Sequence, residues 1–304
     1  MNRLDSVNPR PLVSIMMPVR NMGGSIDRAI ASILLQTYPH WELLIINDGS
    51  TDHTQAVVSS FTDNRIRWVS DDNQHLGIAN RLNQAIALSR GAYLARMDAD
   101  DVAYPERIEK QVEFLHKNST IDLLGTSFVR VDAQGEVRNE ALCPREHAQI
   151  CQKLWMGFPL SHPTWMARAN WFREWGYRKR FFNYGGEDID ILFRSYRSSR
   201  FACLPEILLA YNHAITLRKS SISFLLLFSI LCRHRLWYQA LLCALIIPVR
   251  TVIVVLVSNI SPTVYSYIAS RRKKASVATN ERWRQLQSAL SAWLFKKPAE
   301  SINR

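Results

Sequence analysis

The sequence predicts an α/β fold, a sheet with helices on both faces, followed by a hydrophobic and basic helical tail. Three observations predict it. Short apolar runs rich in β-branched residues alternate with segments of helical period through about residue 118, the pattern of parallel strands joined by crossover helices. Acidic residues stand directly behind two of those runs, where open α/β sheets place their ligands. The composition then shifts sharply at Ile222, from a balanced chain to an apolar and basic one.

The elements follow in order. "PLVSIMMPV" (Pro11 to Val19) reads as a buried strand. "SIDRAIASILLQTY" places Ile26, Ala29, Ile30, Ile33 and Leu34 on one helical face, with Ser25 as its N-cap. "WELLIINDGSTD" is a second strand running into a Gly/Ser/Asp turn, "TQAVVSSF" a short helix and "RIRWVSDD" a third strand. "LGIANRLNQAIALSRG" is an amphipathic helix, for which Gly91 is the expected C-cap. "AYLARMD" is a fourth strand, and "YPERIEKQVEFLHKN" a helix with Pro105 expected in its first turn. Beyond Asn118 the alternation loosens. "IDLLGTSFVRVDAQGEVR" reads as a strand and then a turn at 133–135, "HPTWMARANWFREWGY" as a short strand entering a helix, "GGEDIDILFRSYRSS" as a helix with acids in its first turn, and "FACLPEILLAYNH" as extended. There is no internal repeat and no low-complexity tract.

With 304 residues and 47% apolar composition, the chain is long enough for one large domain with an appendage. Its five cysteines are odd in number and lack CxxC spacing, so they read as reduced thiols in a cytosolic setting. The N-terminal stretch has no long apolar core or small-residue cleavage site, so no signal peptide is expected. The net charge of +12 is concentrated at one end: residues 220–304 hold twelve Lys/Arg against two acids. Leu236 to Val257 has the length of a membrane span, yet Pro248 and Arg250 lie inside it and basic residues flank both ends. An arginine at a span centre costs roughly 2.5–3.5 kcal/mol on insertion scales, and two basic flanks oppose a single crossing. A hairpin or in-plane segment keeps both flanks on one side. The terminal "NERWRQLQSALSAWLFKK" is basic and amphipathic, which suits the same surface. The expected division is therefore 1–219 as a catalytic domain and 220–304 as a membrane-associating region.

Chemistry concentrates in "YLARMDADDVAYPERIEK". One aspartate at a strand end is usually a turn former or helix cap. Three within four residues (Asp98, Asp100 and Asp101) repel one another unless a cation or a proton lies between them. Side chains two apart on an extended segment share a face, so Asp98 and Asp100 are expected to point the same way. Oxygen ligands of this kind suit Mg²⁺ or Mn²⁺, which also bind substrate phosphates, while Asp101 caps the next helix or orients its neighbours. In "INDGSTD", Asp48 ends a strand and can accept hydrogen bonds from a base or ribose, although an Asx turn explains it equally well. Neither a P-loop nor a strand-linked GxGxxG occurs.

Together "VSIMMPVRN", "QTYPHWELLIINDGSTD", "LGIANRLNQAIALSRGAYLARMDADD", "PERIEKQVEFL" and "GGEDIDILFRS" resemble, in order and spacing, the family 2 glycosyltransferases of GT-A fold, from about Leu12 to Asn212. The nearest likeness is to bacterial enzymes of O-antigen, capsule or exopolysaccharide synthesis. The resemblance implies a Rossmann-like mixed sheet and an inverting, metal-dependent transfer from a nucleotide-sugar, usually a UDP-sugar. Asp48 would hold the base, with Pro18 and Val19 lining its pocket. Asp98 would sit near the ribose or sugar and Asp100 on the cation, Mn²⁺ or Mg²⁺. Where relatives carry an Arg-Asn pair this chain has Leu82-Asn83, so Asn83 carries over and the arginine does not. Asp188 matches the general base, with Glu187 and His162 bordering the acceptor; acids in a helix's first turn also simply favour its dipole. His213, near a motif that this chain departs from, would be a third metal ligand or a pyrophosphate contact, although a lone histidine is more often neither. The implied acceptor is a lipid-linked or growing saccharide at the cytoplasmic face of the bacterial inner membrane.

Two other classes compete. A nucleotidyltransferase uses similar carboxylates, but "MMPVRNMGG" lacks the glycine- and lysine-bearing signature it needs. A non-catalytic membrane or nucleic-acid binder would use only the basic tail, and the tail's apolar character favours membrane over nucleic acid.

Overall fold

The structure is a computed structural model that describes residues 10–69, 74–132, 134–178, 186–212, 217–247 and 275–295. Its first half is built as the alternation predicts: β1 (Val13–Val19), α1 (Ile26–Leu34), β2 (Trp41–Asn47), α2 (Thr54–Ser59), β3 (Ile66–Val69), α3 (Ile78–Leu88) and β4 (Tyr93–Arg96). β3, β2, β1 and β4 lie side by side and parallel. Continuous apolar runs form these strands because both faces are covered: Ile15, Met17, Leu43 and Ile45 pack beneath α1, and Met16, Leu44, Ile46 and Leu94 beneath α3.

The second half turns the sheet mixed. β5 (Val102–Ala103), α4 (Arg107–Lys117), β6 (Leu123–Val131), β7 (Val137–Ala141), α5 (His147–Ile150), β8 (Met166–Arg168), α6 (Ala169–Trp175), α7 (Glu187–Ser195) and β9 (Phe201–Asn212) follow. β8 is antiparallel to both β4 and β6, and β5 is antiparallel to β9. The order among the described residues is β3-β2-β1-β4-β8-β6-β9-β5, with β7 beside β6.

Three local expectations change. Gly91 does not cap α3: the helix ends at Ser89 in extended backbone, and Gly91 is required because a Cβ there would lie 2.6 Å from the Ser14 amide nitrogen. Pro105 sits in the turn before α4, not in its first helical turn. Ser25 stands at the start of α1 without a side-chain cap bond; its hydroxyl donates to the Ala99 carbonyl at 3.3 Å, tying α1 to the acidic turn.

The tail divides. Helix α8 (Leu217–Arg233) and a helical segment at 237–247 form a hairpin against α7 and its neighbourhood. The last helix, α9 (Val277–Phe295), is part of the catalytic fold. Trp283, Leu286 and Leu290 pack on Val102, Tyr104, Val129 and Val131, and Arg282 bonds Glu106 at 2.8 Å while lying 4.5 Å over the Tyr104 ring. The apolar face expected to meet a membrane thus covers the sheet edge, and Glu106 serves as a partner for Arg282. Among the described residues no helix is long and apolar enough to cross a membrane; 248–274, including Pro248 and Arg250, lie outside them.

Candidate active site

The site lies at the carboxyl ends of β1, β2 and β4. The loops after β1 and β2 are pinned together. Thr51 N donates to Asn21 Oδ1 at 2.8 Å, Met22 N to Thr54 Oγ1 at 2.8 Å, and Gly23 N to Asp52 Oδ2 at 3.0 Å. The His53 ring lies against Gly23, 2.6 Å from where a Cβ would stand. "NDGSTD" is therefore a brace that fixes the mouth of the sheet.

Val19 pairs in register with Asn47, and Asp48 N donates to Val19 O at 2.8 Å, so Pro18, Val19 and Asp48 share one corner. The Asp48 carboxylate is 5% exposed and heavily used. It accepts from Leu76 N (2.8 Å), Gly77 N (3.1 Å), His75 Nδ1 (2.7 Å) and Arg81 Nε (3.0 Å). Arg81, itself buried, also reaches the Gln74 carbonyl. The segment 74–81 is thus folded over the Asp48 carboxylate.

The acidic motif is a turn, not an extended segment. β4 stops at Arg96, and Asp101 N reaches back to Asp98 O at 3.4 Å. Strand alternation therefore does not set the directions of Asp98 and Asp100. Asp98 Oδ1 pairs with Arg96 Nη2 at 2.5 Å. Asp100 lies in a cavity of about 150 Å³ whose lining includes Gly24, Ser25, Arg28, Asn212 and Trp283. Asp101 is fully buried: Oδ1 accepts from Asn212 N at 3.0 Å, and Oδ2 has no partner. Burial, then the charges of Asp98 and Asp100, push the Asp101 carboxyl well above the usual range. Arg96 is 3% exposed, and its Nε and Nη1 lack partners. Beneath it, Arg107 donates to the Arg96 carbonyl at 2.7 Å, and burial pushes its guanidinium down to about 10.

The second group of acids stands at the start of α7. Gly186 takes the left-handed conformation (φ 87°) that lets the chain enter the helix at Glu187. Glu187 is 8% exposed; burial and the adjacent Asp188 raise its carboxyl to about 7. Asp188 is half-buried and accepts from Ile189 N at 2.8 Å. His162 Nδ1 is 4.0 Å from Glu187, and Nε2 shares a 2.8 Å hydrogen bond with Tyr177 Oη. Burial and Arg96 depress the imidazole well below its usual range, so His162 is neutral and its contact with Glu187 is not an ion pair. Arg96 is the common neighbour: its charge acts on Asp98 and Asp101 on one side and on His162, Tyr177 and Glu187 on the other.

The structure thus brings Asp98, His162 and Glu187 around one buried arginine, with Asp100 and Asp188 beside them in the sequence and Pro18, Val19 and Asp48 together at the ends of β1 and β2. Asn83 is used differently. Its amide donates to Tyr177 O at 2.7 Å and accepts from Tyr177 N at 2.9 Å, so it holds the segment that carries Tyr177 against His162. His213 lies outside the described residues. Asp190 is structural, paired with Arg194 at 2.8 Å. Sequence reasoning missed Arg96, Arg107 and Tyr177. The available signal was an arginine ending an apolar strand directly before three acids.

The donor set fits a hard cation only in part. The unpartnered Asp101 Oδ2 and the crowded carboxylates mark a place short of positive charge. Yet among the described residues no three His, Cys, Asp or Glu side chains form a complete ligand set. A cation here needs further oxygens from substrate and water, which is how Mg²⁺ and Mn²⁺ are usually held beside diphosphates.

The sequence matches the family described as "Glycosyl transferase family 2" over residues 14–180. A glycosyltransferase of Haemophilus influenzae is 35% identical over 216 residues, covering 66% of this chain and 65% of that protein. The Escherichia coli UDP-Glc:alpha-D-GlcNAc-diphosphoundecaprenol beta-1,3-glucosyltransferase WfgD is 36% identical over 114 residues, 38% of this chain and 45% of its own. In each case the match spans less than two thirds of the relative's length. In fold, the chain is similar to Staphylococcus aureus TarS solved with UDP-GlcNAc: TM-score 0.58 at 16% identity, over 72% of this chain and 65% of that one. With the family matched over more than half its length, and the mixed α/β sheet of GT-A enzymes beneath it, this chain belongs to the family 2 glycosyltransferases.

Proposed function

We propose that the enzyme transfers a sugar, with inversion, from a UDP-sugar to a hydroxyl of a lipid-linked or growing saccharide during cell-surface polysaccharide synthesis. One observation carries the reading: Asp98 and Asp101 of the β4 turn and Glu187 at the start of α7 all feel the charge of the buried Arg96, and Asp98 and Glu187 feel each other. The groups that this reading assigns to donor and to acceptor are therefore neighbours. The relative that acts on a diphosphoundecaprenol acceptor, and the fold relative bound to UDP-GlcNAc, support the acceptor and donor classes. The place of action in this reading is the cytoplasmic face of the bacterial inner membrane, with the hairpin at 217–247 as the attaching region and the sheet domain, together with α9 packed on it, as the catalytic one.

The base binds at the Pro18–Val19–Asp48 corner, and segment 74–81 must yield Asp48 at least one bond when it enters. Asp98 faces the ribose or sugar. Asp100 holds Mn²⁺ or Mg²⁺ together with donor oxygens; when bound, the cation neutralises charge on the departing diphosphate. Asp188 takes the proton of the acceptor hydroxyl as the new C–O bond forms at the anomeric carbon and the bond to the diphosphate oxygen breaks. A single displacement inverts that carbon and releases UDP, with the proton left on Asp188. Buried Glu187 keeps a proton near neutrality, which limits negative charge beside the more exposed Asp188 and leaves it the base's role. Neutral His162 holds the Tyr177 hydroxyl on the acceptor side, and Asn83 acts one step removed by fixing the Tyr177 backbone.

A screen of UDP-sugars with the purified chain, Mn²⁺ and a polyprenyl-diphosphate-linked saccharide tests the reading. UDP release that depends on both donor and acceptor is the expected result; silence with every UDP-sugar contradicts it.

A further inference from the structure

The tail hairpin is apolar on both sides. α8 buries Leu227, Ile230 and Leu231, and the 237–247 segment buries Ala240 and Cys243, in one cluster with Phe193 of α7 and Leu154. At 100° per residue the opposite faces carry Leu225 and Phe228 on α8, and Trp237, Tyr238, Leu241 and Leu245 on the second helix. All six are exposed, four of them between 55% and 64% and Tyr238 to 69%. A helix apolar all round is normally covered on all sides, and a contiguous patch of this kind marks an interaction surface.

The surroundings say what covers it. Arg233 and Arg235 are exposed at the hairpin turn, and Arg235 adopts φ 57°, a left-handed conformation usually supplied by glycine. The turn therefore keeps a basic side chain where a glycine would be less strained. Trp237 and Tyr238 follow it directly, the residues that favour the boundary between headgroups and acyl chains. Residues 217–247 carry Arg218, Lys219, Arg233 and Arg235 and no acidic residue. Apolar stripe, aromatic belt and basic rim together fit an anionic lipid surface, and fit a protein partner less well.

We infer that the 217–247 hairpin lies in the plane of an anionic bilayer surface, inserting the Trp237–Leu241–Leu245 stripe, and that it docks the enzyme through α7. The inference rests on the membrane-acceptor reading and adds a consequence to it. Phe193 of α7 packs into the hairpin, and α7 begins at Glu187 and Asp188. The acceptor side is therefore fixed relative to the headgroups, which suits a saccharide whose reacting hydroxyl lies close to its lipid diphosphate.

The test uses the full chain, purified in detergent and mixed with vesicles of phosphatidylcholine alone or with phosphatidylglycerol. Wild type is expected to co-sediment with the anionic vesicles. The Trp237→Glu/Leu241→Glu/Leu245→Glu variant is expected to lose at least about tenfold in partitioning, with unchanged circular dichroism and unchanged UDP release in detergent. Brominated lipid is expected to quench wild type more than Trp237→Phe. The inference is overturned if the triple variant sediments like wild type, because attachment then resides elsewhere. It is equally overturned if wild type binds no vesicles, or if the triple substitution instead converts a dimer to a monomer, making a second copy the occupant. A chain that binds vesicles as described but releases no UDP leaves the hairpin standing and sinks the transferase reading.

Discussion

Replacing Glu187 by glutamine should stabilise the ligand-free protein above neutrality and leave it unchanged in acid. Glu187 is 8% exposed beside Asp188, and its carboxyl is raised from 4.5 to about 7. The folded state thus holds the proton more tightly than the unfolded chain does. For such a group the stabilising contribution is fully present below about pH 4.5 and is lost as pH rises through about 7. At about 1.36 kcal/mol per pH unit, the difference comes to about 3 kcal/mol at pH 8. Glutamine keeps the shape and the neutral form at every pH. For a protein of this size that is roughly 6–12 °C in melting temperature. Melting curves in EDTA at pH 4 and pH 8 read it directly: the two proteins nearly coincide at pH 4, and the variant melts higher at pH 8. Parallel pH dependences for wild type and Glu187→Gln would refute the protonated, buried Glu187 on which the division of roles with Asp188 rests.

Three further outcomes follow from the packing. Gly91→Ala places a Cβ 2.6 Å from backbone at Ser14 and should cost about 1–3 kcal/mol or more in denaturant titrations; a neutral effect would contradict that close approach. Trp283→Ala removes a 3% exposed indole that donates to Gly135 O at 2.8 Å; a loss of about 3–5 kcal/mol is expected, and a neutral effect would mean that α9 is not part of the catalytic fold. Arg96→Gln strips the nearest cation from Asp98, Asp101 and Glu187, at about 3–5 kcal/mol for a broken buried pair. Arg96→Lys should recover part of the stability but not the two-sided geometry, so its activity should stay low while its melting temperature recovers.

Much of the fold was legible because β1, β2 and β4 are buried on both faces, so their apolar runs stand out from the helices between them. β8 was legible as a short strand entering a helix, but β5 was harder: two residues long, it owes its existence to β9, distant in the sequence. The amphipathic last helix was recognised as a helix, but periodicity says only that a face is apolar, not whether lipid or Tyr104 covers it. Among the site residues, the acidic turn announced itself by crowding, whereas the pair opening α7 was singled out by the family resemblance. Arg96 and Arg107 did not, because an arginine in sequence looks the same whether it is solvated or buried under three carboxylates. Asn83 was legible as a motif position, while its bonds to Tyr177, 94 residues away, were set by tertiary structure alone.

The measurement that bears most directly on the transferase account is donor turnover by Asp188→Asn, compared with donor binding by the same protein. The account predicts that UDP release falls at least about 100-fold while calorimetry with Mn²⁺ and the UDP-sugar still shows wild-type affinity. Asp100→Asn, by contrast, should lose that affinity. An Asp188→Asn enzyme that turns over as fast as wild type would contradict the assignment of the base at the start of α7.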